Sequence, residues 1–349
     1  MITKIGLDLG YANITLSDVS SGIFREPSIA LVDKKTHRII SVGNSATSGE
    51  LSGEDTILVR PFKNGLLFDQ SVTYGVIESA LKGNKGDDKL RCLIGVPEDF
   101  LPKQEKVLFS MMADAGVDEC FAVGRATAAL IGAGYSPNIS VISVNVGASG
   151  TDVAILHSGK IIHNSRIAAG GEDFDKAVKQ HIYEQGDVNV SLAVARAIKE
   201  KLGAVYTGKE NESIDIEGTL SLTGSKVCMN ITTEDIVGVF EAPLCSLFNG
   251  VADAVKKIPM ELVEQIFENG IVLTGGGSMI YGLDRLMSKI LGIPVTQPAD
   301  AIDCVARGLS RINVFMPARM RSNNKNISSS LAKYYEMKKQ ISKKDDTKK

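Results

Sequence analysis

LDLGYAN, from Leu7 to Asn13, returns in altered form as VNVGASGTD, from Val144 to Asp152, and this pair decides the fold. Each copy reads as an apolar strand (Ile5 to Leu9; Val141 to Val146), a turn of small residues, and a second strand (Ile14 to Ser17; Val153 to Leu156). Turns with little side chain leave backbone amides free to face phosphate oxygens. Two such hairpins suggest a nucleotide clamped between two related halves. A third segment, VLTGGGSMIYGLDRL from Val272 to Leu286, runs from a buried-type strand through three glycines into a helix carrying Met279, Leu283 and Leu286. Glycines at that junction let a flat ring or a phosphate approach the backbone closely. A single glycine turn is usually only a tight turn, so the order and spacing of the three carry the argument.

At 349 residues the chain is too long for one small core and suits two domains. With 44% hydrophobic and 23% charged residues and a net charge of -2, it reads as a globular protein with no bias towards nucleic acid. Cys92, Cys120, Cys228, Cys245 and Cys304 are scattered and odd in number, which fits reduced thiols in a cytoplasmic core better than a disulfide framework or a metal site. The start, MITKIGLDLG, enters a strand at once without a signal-peptide segment, and no window nears the ~20 apolar residues of a membrane span.

Apolar runs alternate with helical patterns, as in Leu90 to Val96 followed by Lys103 to Ala115, which predicts α/β architecture with a largely parallel sheet. Ala126 to Gly134, ATAALIGAG, reads as a small-residue helix, packed either under a nucleotide or within the core. Residues 177–231 read as an insert with a helix at Leu192 to Leu202 and strands at Ser213 to Ser221 and Lys226 to Ile231. Thr232 or Thr233, with Glu234 and Asp235, then predicts the start of a helix through Phe240. From Arg319 onward there are ten Lys or Arg against three Asp or Glu.

Together with REPSIALVD (Arg25 to Asp33), VRPFKNGLLFD (Val59 to Asp69), IGAG (Ile131 to Gly134), GGEDFD (Gly170 to Asp175) and CVARG (Cys304 to Gly308), these motifs resemble the MreB group of bacterial actins. The likeness runs from residue 3 to about 312, and VRPFKNGLLFD separates it from the kinases and chaperones of the same superfamily. It implies an actin-like ATPase fold of two lobes, each with a ribonuclease-H-like mixed sheet and a smaller inserted subdomain. Residues 1–30, 64–138 and 311–320 would form subdomain IA, 31–63 IB, 139–176 and 232–310 IIA, and 177–231 IIB, with 321–349 a basic tail. It further implies ATP and Mg²⁺ in the interlobe cleft. Gly10, Tyr11, Ala12 and Asn13 would form the first phosphate turn, and Gly147, Ala148, Ser149, Gly150 and Thr151 the second. Lys199 matches a lysine near ribose and adenine. Gly275, Gly276, Gly277, Ser278 and Met279 match the adenosine turn, and Asp8 the aspartate that orders the water shell of Mg²⁺, where a plain turn cap is the other reading.

Three departures alter the expected chemistry. The second hairpin has Asn145 where the resemblance implies aspartate, and an amide carries no charge to hold a cation. Gly124, Arg125 and Ala126 stand where the group reads EEP, so the glutamate that would position the hydrolytic water is missing, and Arg125 either contacts phosphate or, the preferred reading, reaches solvent. Arg196 replaces a glutamate beside the ribose. The expected function is a filament-forming, cell-shape type of actin with weak or absent hydrolysis, whose partners are further copies of itself and envelope or cell-shape proteins. A non-polymerising adaptor at the membrane is the alternative. A kinase would need an acid to activate a substrate hydroxyl, and Asp173 and Asp175 belong to the GGEDFD turn. The loop Lys82 to Leu90 is polar, which leaves the tail as the route to lipid. Residues 328–342 can be written as a basic amphipathic helix for the inner membrane face or as a solvated tail.

Overall fold

The structure, a computed structural model, describes residues 2–18, 22–48, 53–63, 66–84, 88–136 and 138–315. The tail at 321–349, including the stretch 328–342, lies outside them.

Small-residue turns reverse the chain, so each glycine hairpin opens an antiparallel meander. In the first lobe β1 (Ile2–Leu9), β2 (Asn13–Asp18) and β3 (Gly22–Pro27) form it, with Asp8 opposite Thr15 and Leu9 opposite Ile14. The chain then builds a small sheet from β4 (Ala30–Asp33), β5 (Ile39–Val42) and β6 (Thr56–Val59), with a short helix α1 (Asn44–Thr47). A ribbon of β7 (Phe62–Lys63) and β8 (Leu66–Leu67) leads to α2 (Gln70–Leu81), where Asp69 caps the helix by accepting from Val72 N. β9 (Lys89–Val96), α3 (Pro102–Asp114), β10 (Glu119–Gly124) and α4 (Arg125–Gly132) complete the lobe. The sheet order is β10-β9-β1-β2-β3, with β1, β9 and β10 parallel.

The second lobe repeats that wiring. β11 (Val141–Val146), β12 (Thr151–His157) and β13 (Lys160–Ile167) form the meander, followed by α5 (Gly171–Gly186). The insert holds β14 (Val188–Asn189), α6 (Leu192–Leu202), β15 (Ser213–Leu220) and β16 (Lys226–Thr232). α7 (Glu241–Val255), α8 (Val263–Asn269), β17 (Ile271–Thr274), α9 (Leu283–Leu291) and β18 (Val295–Thr296) close the sheet in the order β13-β12-β11-β17-β18. Two of the four pairings in each sheet are antiparallel, so the sheets are mixed rather than largely parallel.

The last described helix, α10 (Cys304–Phe315), lies on the first lobe from its first turn. A Cβ on Gly132 would stand 1.8 Å from the Cys304 carbonyl, and one on Gly308 1.8 Å from that of Ala128. α10 and α4 thus cross at backbone contact, which only glycine allows. The other face of α4 buries Ala126 and Leu130 against Val141, Ala154 and Val272 of the second lobe. ATAALIGAG is therefore a core helix between the lobes, small because both sides close on it.

Two helix starts differ from the sequence reading. Asp235 folds back to accept from the Thr232 amide and hydroxyl, and Gly238 turns at φ +83°, so only a 3-10 turn covers Glu234–Ile236 and the α-helix waits until Glu241. Met279 ends a separate 3-10 turn, and α9 begins four residues later, after Gly282 at φ +78°.

Candidate functional site

Each glycine turn is fastened by its own lobe. Arg60, from the VRPFKNG segment, donates to Tyr11 O at 2.9 Å and lies 5.0 Å from the centre of the Tyr11 ring, propping the first turn. In the second, Gly147 N donates to Gly150 O, and Gly147 O and Ala148 O accept from Gly171 N and Glu172 N at the start of α5. The third turn leans on the second: Gly275 sits at φ +88°, where a Cβ would stand 2.4 Å from Val146 O.

All three turns open into one cavity of about 360 Å³, within the range of small-molecule sites. Gly10, Tyr11, Ala12 and Asn13 line one wall and Gly147, Ala148, Ser149 and Gly150 the facing one, with Asp8, Lys199, Gly275, Gly276, Gly277 and Met279 around them. Thr151 and Ser278 are fully buried and do not line it. Their hydroxyls donate to Ala169 O and Gly275 O at 2.7 Å, so they hold the turns rather than face a ligand.

Every aspartate lining the cavity faces a basic side chain. Arg125 does not reach solvent. Its Nε donates to Asp8 Oδ1 at 3.0 Å and its Nη2 to Leu9 O at 2.6 Å, with the side chain only 11% exposed. Asp152 meets Arg166 at 3.3 Å, and Arg166 also donates to Ser149 O. The fully buried Asp175 lies 2.6 Å from Lys199 and 3.2 Å from Arg196, while Lys199 Nζ donates to Gly171 O. Burial raises the Asp8 and Asp152 carboxyls above their ordinary values, with Arg125 pulling both back. Glu98, pushed up to about 7 by burial, accepts from Ala126 N at the start of α4 and from Asn164. Asn145 is buried, and its Oδ1 accepts from Thr274.

The family model described as MreB/Mbl protein matches residues 2–319. The chain belongs to the MreB/Mbl family. Among similar curated proteins, the cell shape-determining protein Mbl of Bacillus cereus is 28% identical over 315 residues, covering 87% of this chain and 93% of that protein. The cell shape-determining protein MreB of Escherichia coli K12 is 29% identical over 317 residues, covering 87% and 91%. Among solved structures, MreB5 of Spiroplasma citri bound to AMPPNP is similar with a TM-score of 0.83 at 23% identity, covering 88% of this chain and 95% of that one. The MamK double helical filament has a TM-score of 0.78 at 21% identity, covering 91% and 100%. The two-lobed, mixed-sheet architecture is that actin-like fold.

Several cavity residues escaped the sequence reading. Arg25 and Asp152 lay inside quoted motifs, and the hairpin register, which sets Asp152 opposite Asn145, was the signal for the second. Arg166 on β13 and Glu200 on α6 had none. Glu200, one turn after Arg196, keeps a carboxylate on the wall where Arg196 replaced one. The donors do not fit a Mg²⁺ site, because magnesium wants hard, free oxygens. Asp8 already holds a guanidinium, Asn145 is neutral, and among the described residues no group of three or more His, Cys, Asp or Glu is placed to hold a metal.

Proposed function

We propose that this MreB/Mbl member binds an adenine nucleotide between its lobes and assembles into filaments that act in cell shape, with ATP hydrolysis weak or absent. The observation that carries this reading is that both glycine hairpins line a single cavity. The backbone amides of Gly10 to Asn13 and Ala148 to Gly150 take the phosphates. Gly275 to Gly277 and Met279 take the adenosine, beside Lys199 and Glu200. The relatives support it: MreB5 is described bound to AMPPNP and to ADP, MamK as a double helical filament, and Mbl and MreB as cell shape-determining.

The weak hydrolysis follows from the pairing of the acids beside the hairpins. A positioned acid or base contributes ~10²–10⁴ in rate. Asp8, Asp152 and Asp175 are engaged by cations, and Glu98 caps α4 without lining the cavity. Pelleting of the purified chain with and without ATP, beside an assay of phosphate release, tests both parts. Nucleotide-dependent polymers with little phosphate released are expected. Monomers at high concentration would overturn assembly and favour a non-polymerising adaptor, while turnover matching an ordinary actin would overturn the catalytic part.

A further inference from the structure

Arg125 carries its positive charge into the phosphate end of the cavity. It is the first residue of α4, so its guanidinium leaves the helix at the point where the lobes meet, and both of its fixed contacts belong to β1. Those contacts use Nε and one hydrogen on Nη2. A guanidinium has five N–H donors in a rigid plane, so the remaining donors are available to a ligand from a residue that lines the cavity.

The surroundings fix what that ligand is. Asp8 is matched by Arg125, Asp152 by Arg166 and Asp175 by Lys199 and Arg196, so no cavity aspartate is left to attract a second cation. Arg25 also lines the cavity, paired with Asp303. A divalent ion entering beside Asp8 would meet a guanidinium already at 3.0 Å from that carboxylate, with a neutral Asn145 on the opposite hairpin. A phosphate meets the reverse: backbone amides from two turns and an arginine, whose planar fork suits bidentate contact with its oxygens.

We propose that Arg125 stands in for the divalent cation, so that the cavity binds the phosphates of a nucleotide through its guanidinium and without magnesium. This rests on the nucleotide-binding reading above, and a direct titration separates the two. The full-length chain is titrated with a fluorescent ATP analogue, once with magnesium in excess and once with EDTA. The affinities are expected to agree within about threefold, a difference of well under 1 kcal/mol. Tighter binding in magnesium by more than that would overturn the proposal while leaving nucleotide binding intact. No binding in either medium would overturn the nucleotide reading, and the proposal with it. Arg125→Gln adds an internal control. Removing one charge-assisted phosphate contact is expected to weaken binding in EDTA by about tenfold, and magnesium is expected to restore part of it by taking the freed Asp8. Equal affinity of variant and wild type in EDTA would overturn the role of Arg125. If the variant does not fold, the wild-type pair of titrations still decides the question.

Discussion

The fold sets the titration of Glu98 and the pairing of Asp175. Burial holds the Glu98 carboxyl near 7 against an ordinary value of 4.5, so the folded chain keeps a proton that the unfolded chain gives up. Stability contributed by that proton is therefore present below the unfolded value and lost as pH rises towards 7. Replacing Glu98 by Gln removes this slope, and the variant is expected to gain ~1–3 kcal/mol over wild type at pH 8 but not at pH 4.5, read by denaturant unfolding at the two pH values. Asp175 is fully buried against Lys199 and Arg196. Asp175→Asn leaves Lys199 buried beside a neutral amide and is expected to cost about 3 kcal/mol in the same assay, since breaking a buried pair strands the other charge. A loss under 1 kcal/mol would mean that water reaches the pair.

Helix α4 shows how far an element can be read from its letters. ATAALIGAG announced a small-residue helix, but which surfaces close on it depends on α10, whose first residue lies more than 170 positions later. Changing Gly308 to Ala puts a methyl group into the Ala128 carbonyl, and overpacking of that kind costs ~1–3 kcal/mol or more, visible as a lower melting temperature. The first two strands of each meander were legible because apolar runs and small-residue turns are local signals. The start of α7 was not, because a capping pattern at Thr232 to Asp235 is local too, and Gly238 ends the turn it begins. The same division runs through the site. Glycine turns declare themselves, whereas the pairing of Asp8 with Arg125 joins residues 117 apart and exists only once β1 and α4 are side by side. A lone arginine after glycine therefore reads as a solvated side chain until the fold supplies its partner.

At the scale of the whole molecule the lobes meet through few polar contacts. The Glu172 carboxylate acts electrostatically on the Tyr11 hydroxyl, Glu98 N donates to Asp152, Asn164 donates to Glu98, and Ser143 Oγ donates to Ala126 O. Tyr11→Phe removes the first of these while keeping the ring under Arg60. One polar contact of about 1 kcal/mol is worth several-fold in an equilibrium, so a bound fluorescent nucleotide is expected to leave the variant several times faster in stopped-flow chase. An unchanged rate would show that nucleotide release does not depend on this contact. The third glycine turn has a consequence of its own. Since Gly275 abuts Val146 O and the second hairpin is tied to α5, the third glycine turn and the second hairpin are carried together by one lobe. If the proposed nucleotide reading holds, a ligand would meet a finished mould on one lobe, and its escape would be set by how often the other lobe lifts away.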